Sequence, residues 1–241
     1  MTQRFTLRPY QQQAVDATLS HFRQTSESAV LVLPTGAGKS LVIAELARLA
    51  KRKILVVTHV QELVEQNASK YAALGLNPGI YSAGLKQRDT EHQVIFASIQ
   101  SIARNLEQFD HEYSLIIIDE CHRVSNHDES LYQQLIGHIK QNNPSLKVLG
   151  LTATPYRLGH GWIYHRDYRG FFRQSESTIF QNCIYDLPMR SLIKQGYLTE
   201  PKLINAATAH YDFSALTPSA NGLFAEREVN ELLAKYPRVT E

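Results

Sequence analysis

The sequence predicts an α/β fold in which a mainly parallel sheet carries helices on both faces. Five short runs of β-branched and leucine residues recur along the 241 residues: AVLVL (29–33), ILVVT (54–58), VIFAS (94–98), LIIID (115–119) and KVLGLT (147–152). They are continuously apolar rather than alternating, as strands buried on both faces must be. Between them lie segments with apolar residues near helical spacing, and strand alternating with helix gives a doubly wound sheet.

Taken in order, LRPYQ (7–11) opens a surface helix and 29–33 is the first buried strand. Residues 39–50 place Leu41, Val42, Leu46 and Leu49 on one helical stripe, and 61–74 and 131–140 repeat the pattern more weakly. Beyond Thr154 and Pro155 the periodicity gives way to an aromatic, arginine-rich segment. A strand over 179–183, a helix over 187–195 and a further strand over 202–206 follow. After Tyr211 the chain turns polar (DFSALTPSANG) and then forms an acidic helix over 225–235. Residues 1–210 therefore read as one lobe and 211–241 as a linker, with no internal repeat.

Composition narrows the classes. With 43% hydrophobic and 20% charged residues, the chain is an ordinary globular one rather than collagen-like or low-complexity. Its apolar runs fall far short of the ~18 residues of a membrane span, and MTQRFTLRPYQQQ has no signal core. Two cysteines, Cys121 and Cys183, without a C-x-x-C spacing argue against a disulfide framework or a zinc knuckle, so the expected compartment is the cytosol. The net charge of +2 is too small to indicate nucleic acid by itself. Positive charge is concentrated over 156–173, where Arg157, Arg166, Arg169 and Arg173 face one aspartate.

Directly after the first strand comes LPTGAGKS (33–40), followed at once by a helix, which is the context a Walker A match requires. Gly36 and Gly38 let the backbone turn so that N–H groups from Thr35, Gly36, Ala37 and Gly38 onward face phosphate oxygens at the helix start, with Pro34 leading into the turn. Proline itself contributes only its fixed turn geometry. Lys39 then reaches the β and γ phosphates, and the Ser40 hydroxyl serves Mg²⁺. The first motif position, usually Gly or Ala, is Leu33. A second anchor is LIIIDECH (115–122), where a strand ends in two adjacent carboxylates that point different ways. Asp119 is suited to hold the metal and Glu120 to act as general base toward water.

With these anchors the sequence resembles the superfamily 2 helicases and translocases, which implies a three-layer P-loop NTPase fold of the RecA-like type. LRPYQ resembles the adenine-recognising segment, in which Gln11 would bond the adenine edge with support from Arg8. VTHVQELVEQ (57–66), SAGLK (82–86) and ASIQS (97–101) resemble motifs Ia, Ib and Ic, three loops that hold a nucleic-acid backbone. The resemblance carries that role to Thr58, His59, Gln61, Gly84, Ser98 and Gln100, whose groups suit phosphate contact without base readout. LTATP (151–155) takes the form of motif III, whose Thr152 and Thr154 would couple phosphate state to the strand-binding face. His122 would lie near the γ-phosphate and relay to Thr152. FTLRPYQQQAVDATL, LGLTATPYRLGHGWIY and CIYDLPMRSLIKQGYLT further resemble the RadD family of bacterial DNA-repair ATPases.

That resemblance implies ATP and ADP as ligands with Mg²⁺, DNA as partner, single-stranded or branched, and a bacterial cytoplasmic setting without membrane. In the family a second RecA-like lobe supplies an arginine finger, and no second strand-helix series follows LTATP, so the chain reads as an N-terminal lobe that hydrolyses ATP weakly alone. Three other readings share the motifs: an RNA helicase, a restriction-enzyme motor subunit and a nucleotide-switched binding module. In 156–173 the arginines interleave with Trp162, Tyr164, Tyr168, Phe171 and Phe172, which suits either a strand-gripping surface through Arg166 and Arg169 or a loop whose aromatics pack on the sheet. Cys121 and His122, adjacent in sequence, are poorly placed for a nucleophile-base pair.

Overall fold

A computed structural model describes residues 5–124, 130–157, 161–172, 178, 180–201, 216–217 and 224–235. The five expected strands are β1 (Ala29–Val32), β2 (Ile54–Thr58), β5 (Val94–Ser98), β6 (Leu115–Asp119) and β7 (Lys147–Thr152). Four more join them: β3 (Gly79–Ser82), β4 (Gln87–Arg88), β10 (Tyr164–Arg166) and β11 (Phe180–Asp186). They lie in the order β10-β11-β1-β7-β6-β2-β5-β3-β4, parallel except at the β3–β4 edge. A small hairpin, β8 (Tyr156–Arg157) with β9 (Gly161–Trp162), stands apart.

Alternate residues of each strand divide between two cores, which is why the strands read as unbroken apolar runs. On one face Leu31, Val56, Phe96, Ile117 and Leu149 pack under α1 (Pro9–Gln24), α2 (Lys39–Leu49) and α3 (Gln61–Ala72). On the other, Val30, Leu55, Ile95, Ile116 and Val148 pack under α4 (Ile99–Ile102) and α5 (Leu131–Asn142). Three layers result, as expected from the sequence.

Some boundaries differ. The strand expected over 179–183 runs to Asp186 because it pairs with β1 along its length. Its helix is the shorter α6 (Met189–Lys194). β3 and β4 escape sequence reading because they are short, and β4 is an exposed polar edge. The acidic helix is α7 (Glu226–Ala234). The strand expected over 202–206 and the boundary at 210/211 lie outside the described residues. Among the described residues no helix is long and apolar enough to cross a membrane.

Candidate functional site

A parallel sheet delivers every strand's C-terminal end to one rim, where α/β folds bind ligands. The neighbours β1, β7 and β6 set the phosphate loop, the Thr152 turn and the acidic pair side by side, while β2, β5 and β3 do the same for the loops that follow them.

β1 passes into Leu33, whose N–H donates to the Thr152 carbonyl at 2.9 Å. After buried Pro34 and exposed Thr35 the chain turns, closed by the Ala37 N–H on the Pro34 carbonyl at 3.1 Å. Gly36 and Gly38 have φ of 81° and 80°, left-handed values that glycine adopts without strain. Gly38 caps α2, so the N–H groups of the first helical turn, including those of Lys39 and Ser40, have no helical carbonyl to meet. They form the anion-binding end of the helix.

Gln11, expected at the adenine edge, is tied into the lobe by both ends of its amide. It is 2% exposed, its Oε1 accepts the Arg8 N–H at 2.9 Å and its Nε2 donates to the Ala37 carbonyl at 2.8 Å. The side chain is first a strut from the start of α1 to the phosphate loop, and a Cβ on Gly38 would lie 2.5 Å from that Nε2. Arg8 stays exposed.

β6 ends at Asp119, also 2% exposed. Its Oδ2 accepts from Asn67 Nδ2 at 3.0 Å and its Oδ1 from the Glu120 N–H at 3.0 Å. Burial pushes the Asp119 carboxyl above the usual carboxylate range, opposed first by the Asn67 hydrogen bond. A buried carboxylate held by neutral donors, with the near-buried Ser40 hydroxyl behind the phosphate loop, is a hard-oxygen set that fits Mg²⁺. Glu120 has φ of 51°, and this left-handed turn separates the two carboxylates. Its Oε1 lies 3.2 Å from Lys39 Nζ.

Behind Glu120, His122 Nδ1 lies 2.9 Å from Thr152 Oγ1, and 3.4 Å from Glu120 Oε2. Thr152 Oγ1 also accepts the Thr154 N–H at 3.0 Å and donates to the Thr154 carbonyl at 3.3 Å, so Nδ1 is assigned the proton. Burial pushes the His122 imidazole down, outweighing the opposite pull of Glu120. Two further residues hold this turn, Asn67, which sequence reasoning missed, and Arg157, which it read only as part of the basic segment. Asn67 sits fully buried on the apolar stripe of α3 with Val64 and Tyr71, an anomaly readable in the helical period. Arg157 donates from Nε to the His122 carbonyl and from Nη2 to the Val124 carbonyl. Cys121 is fully buried and its thiol is pushed well up, so it is no nucleophile.

The loops after β2, β3 and β5 meet. Gln61 Oε1 lies against Gly84, Gln100 Nε2 donates to the His59 carbonyl at 3.0 Å, and Ser101 Oγ accepts the Ala83 N–H at 2.9 Å. His59, Gln61 and Gly84 are exposed and Gln100 half-buried. Two hydroxyls correct the expectation. Thr58 is buried and donates to the Val60 carbonyl at 2.9 Å, and Ser98 is buried and donates to Ser101 Oγ at 2.7 Å. They build the platform and do not present their hydroxyls on it.

Arg166 and Arg169 are not brought to that patch. β10 is the far edge strand, five and six places from β2 and β5, or roughly 24–29 Å at ~4.8 Å per strand. Arg169 follows Asp167, whose Oδ1 closes the turn by accepting the Arg169 and Phe171 N–H groups at 2.9 and 3.0 Å. The aromatics split: Tyr164 is buried and Trp162 half-buried, whereas Tyr168, Phe171 and Phe172 are exposed. Arg173 lies outside the described residues.

Comparison with known proteins places these features. A family model described as Type III restriction enzyme, res subunit, matches residues 4–157. The chain is 25% identical over 257 aligned positions to IRC3 of Saccharomyces cerevisiae, provisionally named an ATP-dependent helicase, covering 95% of this chain and 34% of that protein. It is 32% identical over 154 residues to the DNA 3'-5' translocase XPB2 of Sulfurisphaera tokodaii, covering 63% and 31%. The chain thus spans about a third of the length of these relatives. In fold it is similar to the Type ISP restriction-modification enzyme LlaGI, solved with a DNA substrate mimic, with a TM-score of 0.54 at 16% identity over 80% of this chain and 21% of that one. Because the family match begins just ahead of α1 and runs past the Thr152 turn, taking in both halves of the nucleotide site, the chain belongs to that family and is a superfamily 2 helicase-type ATPase lobe.

Proposed function

We propose that this lobe binds ATP with Mg²⁺ and, completed by a second RecA-like lobe, hydrolyses it to ADP and phosphate to move on or remodel DNA. The observation that carries the reading is the 3.2 Å approach of Lys39 Nζ to Glu120 Oε1, which sets the phosphate-neutralising ammonium beside the group that takes a proton from water. Backbone N–H groups of 35–40 and Lys39 bind the phosphates, and Arg8 and Gln11 border the base. Ser40 and Asp119 would hold Mg²⁺, which when bound would neutralise phosphate charge. His122 and Thr152 connect Glu120 to the turn at Thr154.

The DNA preference is supported by the likeness to a DNA translocase, and the role in repair by the resemblance to RadD-type segments. A bacterial cytoplasmic setting is part of the same proposal. The strand is proposed to lie over His59, Gln61, Gly84 and Gln100, polar side chains and an open backbone suited to backbone contact. Equilibrium ATP binding with Mg²⁺, followed by hydrolysis with and without single-stranded DNA or RNA, tests the reading. Lys39→Ala is expected to lose ATP binding by at least tenfold, and Glu120→Gln to bind ATP but lose any turnover. Unchanged ATP affinity in Lys39→Ala would sink the site assignment; stronger stimulation by RNA than by DNA would reverse the substrate.

A further inference from the structure

After α6 the chain folds back onto the nucleotide site. Gly196, at φ 74°, lets it reverse, and the N–H groups of Tyr197 and Leu198 both donate to the Leu192 carbonyl, at 2.9 and 3.3 Å. This turn fixes both side chains against the start of the lobe. The Tyr197 ring meets Tyr10 edge-on with centroids 5.3 Å apart, and the Arg8 guanidinium lies over Tyr197, 4.5 Å from its centroid. Arg8 Nη1 also donates to the Tyr10 hydroxyl at 3.1 Å, closing a triangle of three side chains. The Arg8 backbone is joined through Gln11 to the Ala37 carbonyl of the phosphate loop. Leu198 reaches another part of that loop, for a Cβ on Gly36 would lie 2.8 Å from Leu198 Cδ2.

We propose that Tyr197 is a positioning residue of the nucleotide site, holding the Arg8 guanidinium flat as a platform for the base, and that Leu198 steadies the phosphate loop at Gly36. The proposal rests on the ATP reading above. A guanidinium is planar with two faces, and Arg8 is exposed, so Tyr197 takes one face and leaves the other to stack on a purine. An arginine on a free stem would lose rotamer entropy on meeting the base, whereas one already stacked has lost it on folding. The two residues act on different parts of the nucleotide. Tyr197 reaches the base end through Arg8, and Leu198 reaches the phosphate end through the loop.

Binding of ATP and of inorganic tripolyphosphate, which lacks the base, to the 241-residue chain with Mg²⁺ separates these roles. Tyr197→Leu keeps apolar bulk against Tyr10 and removes the aromatic face. It is expected to weaken ATP binding about tenfold and leave tripolyphosphate binding unchanged, with Tyr197→Phe restoring wild-type affinity. Leu198→Ala is expected to weaken both ligands by a similar factor. Arg8→Gln, at an exposed position that puts no core packing at risk, should reproduce the Tyr197→Leu split, and combining the two should cost nothing further. Equal losses for the two ligands in Tyr197→Leu, no loss of ATP, or additive losses with Arg8→Gln each overturn the proposal. A wild-type chain that binds tripolyphosphate and ATP equally would remove the base platform alone; one that binds neither removes the ATP reading itself.

Discussion

At the scale of single residues, burial shifts two titratable groups of the site in opposite directions. His122 is the clearest case, because burial disfavours its cation and Thr152 accepts its Nδ1 proton. Its folded pKa lies below the ordinary histidine value that the unfolded chain retains, so the unfolded state binds more protons as pH falls through and below that value. Stability from this residue is therefore complete above the ordinary histidine range and lost on acidification. Asp119, pushed the other way, burdens the fold least at low pH. Unfolding midpoints measured from about pH 7.5 to 5.5 should fall more steeply in the wild type than in His122→Gln, which keeps an amide for Thr152. Parallel curves would show that His122 does not titrate across folding. The acidic pair was legible in LIIIDECH, but the partnership of Asn67 with Asp119, 52 residues on, was not, since a lone polar residue on a helix stripe does not say what it faces.

Among the elements, β7 and the turn after β6 are closely crowded. Gly150 lies on β7 where a Cβ would come 2.6 Å from both Cys121 Sγ and Phe180 Cζ, side chains of residues that are fully buried. Neither has room to withdraw in a close-packed interior. Gly150→Ala should cost about 1–3 kcal/mol by overpacking, read as a lower denaturant midpoint. Adding Cys121→Ala should recover part of that loss and not all, because the Phe180 ring remains in the way. A Gly150→Ala chain as stable as the wild type would mean that this layer is looser than its contacts indicate. Sequence pattern located β7 and β6 but could not show the Phe180 side chain of β11 reaching past β1 to Gly150, because that approach depends on β11 and β7 flanking β1 in the sheet.

For the whole molecule, the proposed strand path runs over the loops after β2, β3 and β5 and not over the β10 edge. The loops after β2, β3 and β5 lock together on the rim that also carries the phosphate loop, whereas Arg166 and Arg169 sit at the far edge on β10 and the turn after it. A single strand loses about 0.7 in salt slope for each phosphate contact removed, so two direct arginine contacts would flatten the slope by about 1.4. With the strand on the rim, Arg166→Ala combined with Arg169→Ala is expected to leave both affinity and slope unchanged. Gln61→Ala with Gln100→Ala should instead weaken binding at every salt concentration without altering the slope, since neither side chain carries charge. A flattened slope in the arginine pair would move the strand path to the β10 edge.

Local sequence by itself determined the phosphate loop, the acidic pair and the layered α/β class, because each rests on short-range chemistry: glycines at tight turns, apolar runs covered on both faces, a helix start after a strand. Only the tertiary structure decided what those pieces touch. The tertiary arrangement brings Asn67 to Asp119, Arg157 to the carbonyls of the turn after β6, Tyr197 to Arg8 and Leu198 to the phosphate loop, and it separates the β10 arginines from the loops after β2, β3 and β5. These contacts join residues tens to more than a hundred positions apart, and the periodicity of a chain carries no information about which of its distant segments will lie side by side.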